Sequence, residues 1–477
     1  MRTIETDVAI IGAGTAGLNA RRAAVKAGKR WLLIQDGPFG TTCARVGCMP
    51  SKLLIAAADV AHEAKHGGMF GVHSEVRVDG REVMDRVKRE RDRFAGFVVQ
   101  ANLELPQDQV LLGRARFVGP TTVEVGDHTR VQARAVVIGT GSSPWIPPQL
   151  SAIADDVMVN DDVFELDDLP GSIAVVGTGI IGLELGQAMH RLGVRTAFFN
   201  PFEELGPFTD PEVKAKARAV FGAELELHLG GAITSADKID GGYLLRWRDA
   251  DGAEGEAAFD KVLAAAGRRP NLAGLGLEST GMALDASGRP AAWSPTTTQC
   301  GDLPIFMAGD VSGYRPLLHE AADEGQIAGA NAASWPQVSE RPRRTSLAVA
   351  FTEPQMAIVG TRYADLRHDR VVVGQVSYDD QGRSRVMGKN AGLVRIYAST
   401  EDHTLVGAEM LGPRVEHTSH LLAWAVQQQL TPLEALSMPF YHPVVEEGIR
   451  TALRDLAAKL KIAPRRPPTD CADSAAT

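Results

Sequence analysis

A chain of 477 residues has room for about three domains. Its 44% hydrophobic and 23% charged residues are ordinary for a globular protein, and no apolar run approaches the ~20 residues that span a bilayer. A net charge of −9 argues against a nucleic-acid partner held by charge, and four cysteines are too few for a secreted disulfide framework, so the cytoplasm is the expected location.

The first residues run almost at once into a strand, Val8–Ile11, so no signal or transit peptide is expected in front of it. The strand ends in GAGTAG at Gly12–Gly17, followed by helical character over Leu18–Ala27 and a second strand, Trp31–Ile34. Strand, glycine turn, helix and strand form a dinucleotide-binding unit, with Gly12, Gly14 and Gly17 cradling a pyrophosphate. A carboxylate normally stands about 20 residues on, to hold the ribose hydroxyls. Here Gln35 occupies that place with Asp36 next to it, so the choice between the two stays open.

The segment GTTCARVGCMPSK follows directly, with Cys43 and Cys48 five apart. On an ideal helix such residues lie about 8–9 Å apart at Cα, whereas a disulfide needs under about 7 Å. The segment must therefore bend, and Gly47 and Pro50 supply the means. Zinc is the rival reading, but it needs about four ligands, and no second cysteine pair completes a site. A redox dithiol is favoured, with no metal, and Cys300 and Cys471 stand alone.

Val83, Val87, Phe94 and Val98 then recur at helical spacing, which predicts one amphipathic helix packed on the core. Ala135–Ile138 is a buried-type strand running into GTGSSP and the proline-rich WIPP, a crossing point between domains. The dinucleotide pattern recurs as strand Ile173–Val176, GTGIIG at Gly177–Gly182, a helix through Leu192 and strand Thr196–Phe199. One GxGxxG is a weak signal. Two copies in the right setting predict two nucleotide sites. Val262–Ala266 leads into GRRPN at Gly267–Asn271, and Ile305–Ala308 into Gly309–Asp310. A charged, proline-bearing stretch, Glu340–Thr345, marks the next boundary. Strands Leu393–Tyr397 and Leu405–Met410 and then helices predict a last domain of α+β type, and the residues after about Pro464 read as disordered. Near the end, FYHPVVEEG places His442 five residues before Glu447, an imidazole within reach of an orienting carboxylate.

Taken together, GAGTAG, GTTCARVGCMPSK, GTGIIGLELG, GRRPN, FMAGD, FTEP and HPVVEE, in that order over residues 4–462, resemble the FAD-dependent pyridine nucleotide–disulfide oxidoreductases, and within them the dihydrolipoamide dehydrogenases. The resemblance implies an α/β fold of two Rossmann-like domains and a C-terminal α+β dimerisation domain. FAD would be held by residues 1–145 and 265–344, NAD by 146–264, and the interface formed by 345–464, with 465–477 a tail. It implies that Cys48 is the thiol beside the flavin and Cys43 the interchange thiol facing substrate. Lys52 and Glu184 would form the ion pair near the reactive flavin nitrogen. Thr42, Thr140, Gly141, Gly309 and Asp310 would join the FAD site. Gly177, Gly179, Gly182, Asn200 and Gly267 would form the NAD site. His442 would be the acid/base and Glu447 its partner, reaching the dithiol of the other subunit, so that the active site needs a homodimer. The implied substrate is a dithiol such as the lipoyl domain of a 2-oxoacid dehydrogenase complex, with neither nucleic acid nor membrane as partner.

Gly182, Asn200, Glu203 and Glu204 favour NAD over NADP, because none supplies a cation for a 2′-phosphate, although NAD enzymes usually carry an acid at the position of Asn200. A mercuric reductase would carry a vicinal cysteine pair at the C-terminus, where this chain has Cys471 alone, and transhydrogenases of the family lack the reactive pair. Glutathione reductase-like enzymes have arginines on the first helix and a tyrosine where Ile180 stands. Arg21 and Arg22 are present here, but in a shifted helix register, so the NADPH-dependent enzyme stands only as the alternative. A flavoprotein that binds FAD without turnover, such as a redox sensor, would need neither Cys43/Cys48 nor His442/Glu447.

Overall fold

The computed structural model describes residues 1–462; the expected tail and Cys471 lie outside the described residues. Strand β1 (Arg2–Ile11) is the centre of the first unit. Its apolar end, Val8–Ile11, is buried on both faces, which explains a continuous apolar run where an alternating one would mark a half-exposed strand. It leads into helix α1 (Thr15–Lys26) and strand β2 (Trp31–Gln35). The short helix α2 (Thr42–Val46), then α3 (Cys48–His66) and α4 (Gly80–Leu103), precede β3 (Val110–Leu112), β4 (Ala115–Phe117), β5 (Thr122–Val125) and β6 (Thr129–Ile138). The sheet order is β3-β2-β1-β6-β5-β4. β1 runs parallel to both neighbours, Val8 pairing with Trp31 and Ala135. The helix expected from Val83, Val87, Phe94 and Val98 exists, but its buried stripe is rotated. Met84, Val87, Arg91 and Ala95 face inward, whereas Phe94 is exposed. Arg91 can be buried because Glu165 and Asp92 pair with it.

Strand β7 (Ser142–Pro144) leaves this sheet, and the helical turn α5 (Asn160–Val163) follows. The second unit is β8 (Ser172–Val176), α6 (Ile180–Arg191), β9 (Arg195–Asn200), α7 (Pro211–Gly222) and β10 (Glu226–Leu229). An antiparallel meander, β11 (Ala232–Ile239), β12 (Gly242–Arg248) and β13 (Glu254–Phe259), packs on it. β14 (Lys261–Ala264) then completes a parallel sheet in the order β10-β9-β8-β14. β15 (Arg268–Pro270) pairs with β7, so GRRPN and GTGSSP lie side by side. The chain returns to the first sheet as β16 (Ile305–Met307) beside β6, and α8 (Leu318–Ser334) packs against α1.

The last unit is an antiparallel sheet ordered β17-β18-β21-β20-β19, formed by β17 (Leu347–Ala350), β18 (Gln355–Gly360), β19 (Val371–Ser377), β20 (Leu393–Ser399) and β21 (Leu405–Gly412). Helices α9 (Gly382–Val386), α10 (Val415–Gln427), α11 (Pro432–Leu436) and α12 (Glu447–Lys459) accompany it. A buried polar cluster fastens the second unit to this sheet. Glu409 on β21 accepts the N–H groups of Thr209 and Asp210, and Asp210 accepts the Tyr397 hydroxyl at 2.9 Å and lies 2.8 Å from Arg395 Nε. No helix among the described residues is long and apolar enough to cross a membrane.

Candidate active site

Both glycine loops have the same geometry. Gly12 (φ +104°) and Gly177 (φ +112°) take a left-handed turn at the end of a strand, where a Cβ would strike the facing backbone of Gly139 or Ala265. Gly17 and Gly182 bring the following helix so close that a Cβ would strike the Gly12 or Gly177 carbonyl. Gly14 and Gly179, at the helix N-caps, instead face open space. A helix N-terminus with free N–H groups and no side chain in front of it suits a pyrophosphate. The residues therefore fit two dinucleotides.

A cavity of about 1840 Å³ joins the two loops. Gly14, Thr42, Cys43, Cys48, Lys52, Gly141, Glu184, Gly309 and Asp310 line it, as do Gly177, Gly179, Asn200 and Gly267. Gly12, Gly17 and Gly182 stand behind their loops, and Thr140 is turned to the Asn271 carbonyl at 2.8 Å. Asp310 accepts a hydrogen bond from Ser142 through Oδ2 at 2.9 Å. Gln35 accepts the Ala13 N–H at 2.7 Å and donates to the Asp36 and Pro38 carbonyls, bracing the loop. Neither Gln35 nor the exposed Asp36 lines the cavity.

Between the loops lies the cysteine pair. The chain breaks at Gly47 (φ −131°, ψ −115°), so Cys43 sits on α2 and Cys48 opens α3. The predicted bend is located there, and it brings the two free thiols into hydrogen-bond contact. The Cys48 thiol is brought down to about 7, first by the hydrogen bond from Cys43 and then by the Lys52 ammonium, against the effect of burial. Cys43 is pushed well above the ordinary thiol range by its bond to Cys48 and by burial. The proton is thus held on Cys43 and the charge falls on Cys48, the thiolate being the form that attacks or leaves. Lys52 Nζ donates to Glu184 Oε2 at 2.7 Å and lies 4.5 Å from the centre of the Phe351 ring. Glu184 Oε1 accepts the Phe351 N–H at 2.8 Å. Phe351, in FTEP, is thereby linked to the site; the motif was visible in sequence but its contact was not.

His442 and Glu447 are together but elsewhere. His442 Nδ1 lies 3.1 Å from both Glu447 oxygens, which leaves Nε2 outward. Burial raises the Glu447 carboxyl, but the bonds from His442 and the Val444 N–H outweigh it and hold the group below the usual range. The imidazole is 63% exposed, and neither residue lines the cavity of its own chain.

The family model for pyridine nucleotide-disulphide oxidoreductases matches residues 6–325, and that for their dimerisation domain residues 346–453. The chain belongs to this family. Its members use FAD and a pyridine nucleotide, so the chain is an FAD-dependent disulfide oxidoreductase, and its dimerisation domain supports a homodimer. Among curated relatives, a dihydrolipoyl dehydrogenase of Halobacterium salinarum is 29% identical over 94% of this chain and 95% of its own. That of Bacillus subtilis is 27% identical over 94% and 97%. Among solved structures, LpdA of Mycobacterium tuberculosis superposes with a TM-score of 0.79 at 23% identity, covering 95% of this chain and 99% of that one. The HOCl-induced flavoprotein disulfide reductase RclA of Escherichia coli gives 0.76 at 21%, over 95% and 99%. The fold of two Rossmann-like units and an antiparallel dimerisation domain agrees with the expected class.

Proposed function

We propose that this chain is a homodimeric dehydrogenase that oxidises a dithiol, protein-bound dihydrolipoamide, with NAD as final acceptor. The observation that carries the reading is the Cys43–Cys48 pair beside Lys52–Glu184 in a cavity shared by two dinucleotide loops. The similarity to dihydrolipoyl dehydrogenases over nearly the whole chain supports the substrate class. The reading keeps the FAD-binding residues as 1–145 with 265–344, the NAD-binding residues as 146–264 and the interface from 345 onward. In the disulfide form, a substrate thiolate generated by His442 of the other subunit attacks the Cys43 sulfur. The Cys43–Cys48 bond breaks and Cys48 leaves as thiolate, its charge matched by Lys52. The second substrate thiol then displaces Cys43, closing the substrate disulfide and leaving two electrons on the enzyme pair. FAD supplies the two-electron relay from this pair to the nucleotide. Gly14 and Asp310 would hold it.

The purified protein should be yellow, with flavin absorbance near one equivalent per chain. A folded, colourless preparation that cannot be reconstituted would remove the reading. Turnover with dihydrolipoamide and NAD, measured against glutathione disulfide and NADPH, tests the substrate.

A second reading, an NADPH-dependent disulfide reductase, is favoured by one observation. The loop after β9 does have cations near it, because α7 brings Arg218 to 3.3 Å from Glu203 and Lys214 to 3.8 Å from Glu204. Each glutamate is therefore partly neutralised, and the repulsion expected from sequence is smaller. Asn200 spends its amide on Thr178 and the Glu204 carbonyl, fixing the loop. With both cations already paired, NADH should still have the higher kcat/KM. A clear NADPH preference would select the reductase.

A further inference from the structure

One hydrogen-bond chain on the cavity wall ends at Asp310, and its other members have no part in the scheme above. Helix α2 ends at Val46, midway between the two cysteines, and its last carbonyls have no helical partner. Asn160, buried at the start of α5, donates from Nδ2 to the Val46 carbonyl at 2.8 Å. Its Oδ1 accepts from Arg268 Nη1 at 3.0 Å. Arg268 Nε donates to Ser142 Oγ at 2.8 Å and Nη2 to the Ser142 carbonyl at 2.6 Å. Ser142 Oγ stands 2.9 Å from Asp310 Oδ2.

The polarity of this chain is fixed at every link. A guanidinium only donates, so Asn160 must turn its oxygen to Arg268 and its amide to Val46. The serine hydroxyl receives from Arg268 and has one proton, which it gives to Asp310. All four residues line the cavity, and Arg268 comes from GRRPN, the motif of which sequence reasoning used Gly267 alone.

We propose that Asn160, Arg268 and Ser142 are positioning residues that tie the cysteine loop to the FAD-site aspartate, so that the geometry of the dithiol depends on the cofactor side of the cavity. This rests on the reading of Cys43 and Cys48 as the redox pair beside FAD. With Val46 fixed, α2 and α3 are held across Gly47 with the thiols in contact. Without the tie, the Cys43 S–H moves off Cys48, and the Cys48 thiolate loses its largest support.

The test uses the reduced holoenzyme and follows the long-wavelength charge-transfer band of the Cys48 thiolate against flavin as a function of pH. Losing one buried hydrogen bond corresponds to about a tenfold change in population. Asn160→Ala should therefore show a band midpoint about one pH unit higher, with FAD still bound. Ser142→Ala cuts the chain far from the cysteines and should move the midpoint the same way by about threefold in population. The double variant should fall short of the sum, as members of one network do. A midpoint unmoved in Ser142→Ala overturns the relay even if Asn160→Ala fails to fold, since a merely local packing role of Asn160 predicts that result. Absence of the band from the unsubstituted enzyme instead overturns the dithiol reading, and the relay with it.

Discussion

His442→Gln should lower dithiol turnover by about 10²–10⁴-fold, the usual loss when a general base is removed. FAD content and hydride transfer from NADH to an artificial acceptor should be unchanged, because neither needs the imidazole. The geometry explains the selectivity. Glu447 holds Nδ1 and leaves Nε2 facing outward, on a residue that is largely exposed and lies outside the cavity containing Cys43. Leu421, Trp424, Met438 and Tyr441, from the same C-terminal unit, are also exposed in the single chain. Large apolar side chains on the surface of a dimerisation domain are the expected mark of an interface. Mixing His442→Gln subunits with Cys43→Ser subunits gives the decisive version. Under two-fold symmetry a mixed dimer holds one site with both lesions and one with neither, so about a quarter of full activity should return on random exchange. If the subunits demonstrably exchange and no activity returns, His442 acts on Cys43 of its own chain and the dimer argument fails.

The legible part of the chain was what short-range pattern encodes. Each glycine loop is a local object, its strand, turn and helix contiguous, so GAGTAG and GTGIIG marked the position and the local fold together. The bend between the cysteines followed from setting helix geometry against the span of a disulfide, and Gly47 is where it falls. Contacts made over a long sequence separation were less accessible. Asn160 meets Val46 across 114 residues, Arg268 meets Ser142 across 126 and Phe351 meets Glu184 across 167. Nothing in the neighbourhood of Asn160 marks it as bound for the cysteine loop. Lys214 and Arg218 illustrate the same limit. The residues just after β9 carry no cation, while the nearby cations come from the next helix. The rotated stripe of α4 has a different cause: apolar spacing favoured Phe94, and the buried Arg91, compensated by Glu165, took the inward position.

Cys48→Ser should abolish the charge-transfer band and dithiol turnover together, whereas Cys43→Ser should abolish turnover and show the band with no reductant added. The asymmetry follows from the proton distribution. The pair keeps its proton on Cys43 and its charge on Cys48, next to Lys52. Serine at 48 removes the thiolate that would face the flavin. Serine at 43 removes only the partner that can close the disulfide, and its hydroxyl still donates to the Cys48 thiolate. That thiolate is therefore present in the oxidised enzyme, and since Cys48 lies near 7 the band should strengthen as pH rises through neutrality and fade below it. Cys43→Ala removes the donor as well, so its band should persist but with a higher midpoint than that of Cys43→Ser, by about one pH unit for one hydrogen bond to a charged sulfur. Absorbance titrations of the three variants decide the assignment. A band in Cys48→Ser with none in Cys43→Ser at any pH would exchange the two roles, placing Cys43 against the flavin and Cys48 toward the substrate.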